Sequence, residues 1–241
     1  MKYFKNIYLE KGVVVIPNVF TEEECAEMKR QAYSVKDLDI TKSGYKHEPS
    51  QTAYNKRSLI FFPALANEYL NKIRTDERIV SLVKEFIGHD VRQINNQVYF
   101  RESGDNDQFA WHQDIMFRES NIFSEDVEDD YFQTIIAVDD ITEENGAIEF
   151  IERSHRIPTM SPPQNLRVFD RNGLKGVKYV ASKGSVIIWS VMIIHGSEPN
   201  KSNSDRMTYM NGFCRTKSAN SYPHYLINGQ VVKNIDPSII P

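Results

Sequence analysis

Phe109-Ala110-Trp111-His112-Gln113-Asp114 places an imidazole and a carboxylate two residues apart. In an extended strand, residues i and i+2 project from the same face. His112 and Asp114 can therefore reach one point, with Gln113 turned away. A neutral imidazole nitrogen and one carboxylate are two of the three donors of the 2-His-1-carboxylate set. That set holds a divalent transition metal and leaves other coordination positions open. Read alone, the pair equally fits a surface strand with two polar residues facing water, because so short a motif recurs by chance. The metal reading requires a second imidazole.

His195 is the candidate. It follows the apolar run at 186–194 and precedes Gly196-Ser197. A histidine at the mouth of a buried strand can face a cavity. The competing reading is a core or turn histidine bonded to backbone. After a polar loop at 198–205, Arg206 opens the next strand. An antiparallel return would bring it beside the same point, where a guanidinium is a bidentate clamp for a carboxylate. The plainer alternative is a surface ion pair with Asp205. His47, His89 and His224 have no motif around them and are read as non-ligands.

The remaining composition is ordinary. The chain has 241 residues, 26% charged and 40% hydrophobic, with a net charge of −4. A chain of this length buries a core without staples. The acidic balance argues against nonspecific nucleic-acid binding, which needs a basic surface. Cys25 and Cys214 form no CxxC and read as reduced thiols. The first residues lack the apolar core of a signal peptide, and no apolar run is long enough to span a bilayer. A soluble cytoplasmic protein is expected, with no membrane or nucleic-acid partner. Oligomeric state is not readable.

The positioning elements follow from local pattern. Residues 13–16 are a β-branched run that reads as a strand. Thr21-Glu22-Glu23-Glu24 is a capping box, and Cys25, Met28 and Ala32 continue at helical spacing to about residue 34. Helices are expected at 64–74 and from Asp76 to the stop at Gly88. From Gln93 the pattern turns to strands: 96–101, 109–114, 134–138, 147–151 after the Asn145-Gly146 turn, 185–195, 207–213 and 225–227. Helices first and strands after argue an α+β, mainly β fold. The expected architecture is a double-stranded β-helix (jelly roll, cupin-like) with N-terminal helices packed on one sheet. One domain over 1–241 is expected, helical to about 90, jelly-roll core to about 216, then a tail.

Several stretches resemble the Fe(II)/2-oxoglutarate-dependent oxygenases, specifically the phytanoyl-CoA dioxygenase-like group. Residues 11–20 (KGVVVIPNVF) are similar to its N-terminal segment, and Trp111-His112-Gln113-Asp114 to its WHQD. The block from Asn145 to His155 resembles its NG-(x)n-PGSH block, and His195-Gly196-Ser197-Glu198-Pro199-Asn200 its HGSxxN. The departure is Ile151-Glu152-Arg153, where the group has Pro-Gly before Ser-His.

The resemblance implies Fe(II) held by His112, Asp114 and His195, 2-oxoglutarate as cosubstrate, and O2. It implies that Arg206 binds the distal carboxylate of 2-oxoglutarate with a hydroxyl partner, for which Thr134 and Ser197 are candidates. Gln97 and Tyr99 would line the cosubstrate pocket, and His155 would be structural. The implied reaction hydroxylates an unactivated C–H bond of a small metabolite and releases succinate and CO2. Halogenases of this kind carry Ala or Gly at the position of Asp114, so a hydroxylase is expected. A jelly-roll metal- or small-molecule-binding protein without turnover is the alternative; it has no need of the full set.

Substrate is less legible. Phe109, Trp111, Met116 and Phe117 flank the ligands and are candidates for substrate contact or core packing. Loops at 42–57, 115–130 and 156–176 are candidate caps. Arg153, Arg156, Arg167, Arg171, Lys175 and Lys178 could attract an anion or simply be solvated. An amino acid or other small polar metabolite fits as well.

Overall fold

Antiparallel pairing organises the chain into two sheets that share a core. The computed structural model describes residues 1–36, 58–105, 108–117, 131–157, 175–215 and 222–236. Its helices are α1 (Lys2–Lys11), α2 (Glu22–Lys36), α3 (Pro63–Ala66), α4 (Glu68–Arg74) and α5 (Glu77–Ile87). Its strands are β1 (Val13–Ile16), β2 (Ser58–Phe61), β3 (Val91–Arg101), β4 (Phe109–His112), β5 (Tyr131–Ala137) and β6 (Ile148–Phe150). They continue with β7 (Val177–Tyr179), β8 (Val186–Ser190), β9 (His195–Ser197), β10 (Arg206–Arg215), β11 (His224–Ile227) and β12 (Gln230–Val231). Among the described residues, the larger sheet runs β1-β8-β5-β10-β3-β11-β12, with β2 also on β3. The smaller runs β4-β9-β6-β7.

Local signals explain most of the helices. The capping box forms in full: Thr21 N donates to Glu24 Oε2 at 2.8 Å and Glu24 N to Thr21 Oγ1 at 3.2 Å. Asp76 Oδ1 accepts from Arg78 N at the start of α5. The helix expected at 64–74 is two, because Asn67 is extended and caps α4 by accepting from Leu70 N at 3.0 Å. α1 was not expected. It has no capping side chain and no fully buried residue, and it leans on the core through Phe4, Ile7 and Tyr8.

Strand alternation then sorts side chains between two cores. One face of the larger sheet packs on the helices: Val98, Phe100, Phe132, Ile136, Ile188, Tyr209 and Phe213 meet Cys25, Met28, Leu70, Ile79, Val83 and Phe86. The other face looks at the smaller sheet: Val13, Ile135, Ala137, Ile187 and Trp189 meet Ala147 and Phe150. The expected jelly roll with helices on one sheet is thus the observed arrangement. β1 and β2 join the larger sheet, and β11 and β12 extend it from the tail.

Two expectations about strands are corrected. β4 stops at His112, and Asp114 opens a 3-10 turn, Asp114–Phe117. The apolar run after Ser185 is not one strand. β8 ends at Ser190, the chain turns, and His195 begins β9 in the other sheet. Ser190 Oγ accepts from Met192 N within that turn. Residues 42–57, Arg167 and Arg171, most of the 115–130 and 156–176 loops, and the side chain of Phe117 lie outside the described residues. Cys25 and Cys214 are buried and form no disulfide. No helix among the described residues is long and apolar enough to cross a membrane.

Candidate metal centre

β4 and β9 are antiparallel neighbours, with His112 opposite His195 and Phe109 opposite Ser197. Their closeness is possible because Gly196 has no side chain. A Cβ there would sit 2.8 Å from Phe109 O and 3.4 Å from Trp111 N. The two imidazole rings lie 4.3 Å apart, centroid to centroid.

The 3-10 turn after β4 brings Asp114 to the same point. Three ties hold the turn against the segment leading to His195. Gln113 Nε2 donates to Met192 O at 2.7 Å, Ile115 N to Val191 O at 3.3 Å, and Trp189 Nε1 to Asp114 Oδ2 at 2.9 Å. The other carboxylate oxygen, Oδ1, lies 3.5 Å from His112 Nε2 and 3.7 Å from His195 Nε2. One donor atom from each residue falls within 4.8 Å of the others, the one such cluster among the described residues.

The donor chemistry fits a divalent iron. His112 Nδ1 lies 2.6 Å from Ala110 O, and His195 Nδ1 lies 3.0 Å from Ile193 O. A carbonyl accepts, so in each ring Nδ1 carries the proton and Nε2 keeps its lone pair. Burial, then His112, push the His195 imidazole down to about 4, against the pull of Asp114. His195 is therefore neutral at pH 7. Burial raises the Asp114 carboxyl, but the two histidines and the Trp189 N–H outweigh it and hold the carboxyl well below the usual range. Phe150 stacks on His195 at 5.5 Å.

Arg206 reaches this region by a different route from the expected hairpin. β10 lies in the larger sheet between β3 and β5, not beside β9. Met207 and Tyr209 face the helices, so Arg206, Thr208 and Met210 face the smaller sheet. Arg206 Nη1 donates to Gly146 O at 2.7 Å, just before β6. Among the described residues its Nε has no hydrogen-bond partner, and no carboxylate forms an ion pair with it. Asp205 instead accepts from Ser103 N. Burial, then Arg101, pull the guanidinium down to about 9, still protonated at neutral pH. A buried guanidinium with one carbonyl partner suits a carboxylate.

The other expected residues divide. Gln97 and Tyr99 share the inner face with Arg206; Gln97 is buried with Oε1 unpaired, and Tyr99 meets Phe109 edge-on at 6.0 Å. Phe109 lies 6.4 Å from the His112 ring. Trp111, Ile115 and Met116 are half-buried around the ligands. Ser197 Oγ is bonded by Arg101, not Arg206. Thr134 is a correction: it alternates with Phe132 and Ile136 on the helix-facing side, and its Oγ1 donates to Asn211 O. The inner-face hydroxyl next to Arg206 is Thr208, whose i, i+2 spacing on the same strand was the available signal. His155 packs under Gly12 away from the cluster. Arg153 takes φ 68°, the left-handed turn that a glycine adopts freely, so the departure at 151–153 leaves the turn intact. Trp189, Gln113 and Arg101 were missed, because each acts through a contact distant in sequence.

The family model for phytanoyl-CoA dioxygenase (PhyH) matches residues 8–208. The chain belongs to the phytanoyl-CoA dioxygenase (PhyH) family. A curated relative from Stutzerimonas stutzeri, described as a probable alpha-ketoglutarate-dependent hypophosphite dioxygenase, is 24% identical over 90% of this chain and 78% of its own. Among solved structures, the epimerase SnoN in complex with Fe3+, alpha ketoglutarate and nogalamycin RO has TM-score 0.73 at 18% identity, over 90% of this chain and 84% of its own. The carbocyclase SnoK of nogalamycin biosynthesis has TM-score 0.74 at 17% identity, over 95% and 87%. The PhyH match and the assembled triad agree with an iron- and 2-oxoglutarate-dependent dioxygenase.

Proposed function

We propose that the chain is a single-domain Fe(II)- and 2-oxoglutarate-dependent hydroxylase of a small metabolite, releasing succinate and CO2, and located in the cytoplasm. One observation carries this reading. Three donors converge, each histidine with Nδ1 tied to backbone and Nε2 turned toward Asp114 Oδ1, and the buried Arg206 forms no ion pair with a carboxylate among the described residues. His112, Asp114 and His195 hold the iron. Arg206 and Ser197 take the distal carboxylate of 2-oxoglutarate, with Gln97 and Tyr99 along the pocket wall.

Bound iron, with 2-oxoglutarate and O2, supplies the oxidising power for the C–H bond. The chain's residues do the rest. The carbonyls of Ala110 and Ile193 keep both imidazoles in the ligating tautomer. Trp189 leaves only Asp114 Oδ1 for the metal. Arg206 fixes the far end of the cosubstrate, and so the direction of its keto acid. Phe150 and Trp189 exclude water beneath His195.

The substrate reading is a small hydrogen-bonding molecule, amino-acid-like or otherwise polar, near Phe109, Trp111 and Met116. Asn95, Gln97 and Gln133 line the same inner face, and the Oε1 atoms of Gln97 and Gln133 are buried and unpaired. An anion is favoured less. Arg153 pairs with Glu10, Arg156 with Leu9 O, and Lys178 with Glu198, each on its own surface.

Anaerobic addition of Fe(II) and then 2-oxoglutarate tests the site. The wild type is expected to develop a visible charge-transfer band. His112→Ala is expected to lose it, and Arg206→Ala to need more 2-oxoglutarate. Admitting O2 should then yield succinate. Folded, iron-loaded protein with no band overturns the reading. A band without succinate favours a binding protein.

A further inference from the structure

A second buried guanidinium adjoins Arg206. Arg101 ends β3 and is the cross-strand neighbour of Arg206, and the two are 2% and 5% exposed. Two like charges side by side in a desolvated layer repel unless anions compensate them. Asp105 meets Arg101, with Nε to Oδ2 at 3.4 Å. That leaves Arg206 without a paired carboxylate among the described residues.

Arg101 also grips β9. Its Nη1 donates to Ser197 Oγ at 3.0 Å and its Nη2 to Glu198 O at 2.6 Å. A serine hydroxyl has one proton and two lone pairs. A guanidinium only donates, so Ser197 Oγ accepts from Arg101 and keeps its own proton to give. Oγ has no other hydrogen-bond partner among the described residues.

Gly146 is where the two arginines meet. Its carbonyl holds Arg206 Nη1, and a Cβ on it would lie 3.2 Å from Arg101 Nη2 and 2.7 Å from Glu198 O. Any side chain at 146 would part the arginines from the Ser197 strand.

We propose that Arg101 is a positioning residue for the cosubstrate: by occupying a lone pair of Ser197 it turns that hydroxyl to donate to the distal carboxylate that Arg206 binds. The inference rests on the proposed 2-oxoglutarate site and deepens it. It makes recognition of the distal carboxylate depend on a chain from Arg101 through Ser197, coupled to one arginine fork. A 2-oxo acid without that carboxylate, such as pyruvate, does not use the chain.

The test is anaerobic binding of 2-oxoglutarate and of pyruvate to the Fe(II)-loaded protein, by calorimetry. It uses the wild type, Arg101→Gln, Ser197→Ala and the double variant. Each single change is expected to weaken 2-oxoglutarate about tenfold, the scale of one hydrogen bond to a charged group. The double variant should be no weaker than the weaker single, because both break one chain. Pyruvate and iron affinities should not move. Multiplying losses, or pyruvate weakening in step with 2-oxoglutarate, would mean that Arg101 only supports the loop, and would overturn the proposal. Should Arg101→Gln fail to fold, Arg101→Lys takes its place; it keeps the charge but not the two-directional grip, and the same coupling with Ser197→Ala decides. Iron-loaded wild type that binds no 2-oxoglutarate defeats the proposed function itself, a distinct result.

Discussion

The indole N–H of Trp189 donates to Asp114 Oδ2 at 2.9 Å, joining the larger sheet to the 3-10 turn that follows β4. Oδ1 is left facing both histidines. Metal-ligating carboxylates depend on such partners, whose loss costs about ten- to a hundredfold in affinity. Trp189→Phe keeps the ring and deletes the donor. Fe(II) or Co(II) affinity is expected to fall by that factor while the fold survives. Unchanged metal affinity would show that the bond does not orient the ligand.

Gly196 explains the residue between His195 and Ser197. A methyl group there meets the β4 backbone, not a flexible side chain. Gly196→Ala should push β4 from β9 and part His112 from His195. Loss of metal binding is expected to exceed loss of thermal stability. Wild-type affinity in the variant would contradict the packing argument.

His195 carries a pH signature in the metal-free protein. Its imidazole is pushed from an ordinary 6.5 down to about 4, so the unfolded state binds more protons than the folded state between those values. Stability from this group is complete above about 6.5 and declines as pH falls toward 4. Denaturant titrations of the metal-free protein across that window should show the decline. His195→Gln should flatten it; an unchanged slope would refute the assignment.

Asp114 bears on the reaction's outcome. With a carboxylate among the ligands, hydroxylated and not chlorinated product is expected even at high chloride, as read by mass spectrometry. Asp114→Ala should lose most iron affinity. Chlorinated product from the wild type would contradict the hydroxylase reading.

Local pattern made much of this legible. The capping box at Thr21, the Asp76 cap, the Gly88 stop and the short β-branched runs are written within a few residues, and all form. The three candidate donors were legible by residue type, but the strand spacing argued for His112 and Asp114 is not what brings them together. His112 and Asp114 converge through a 3-10 turn, not along one strand. Thr134 was misplaced because a hydroxyl in a buried strand does not reveal which face it takes until its neighbours Phe132 and Ile136 find the helices.

The sequence by itself determined the helix caps and the alternation that puts Arg206 and Thr208 on one face. These depend on backbone geometry over one to four residues, which spacing records directly. Tertiary structure alone decided that Trp189 would hold Asp114, that Arg101 would grip Ser197, and that Arg206 would arrive from the larger sheet. Each is a meeting of residues on elements that pair or face one another across long stretches of chain. Such partners are chosen by burial and register of the whole sheet, and nothing in the residues beside them records the choice.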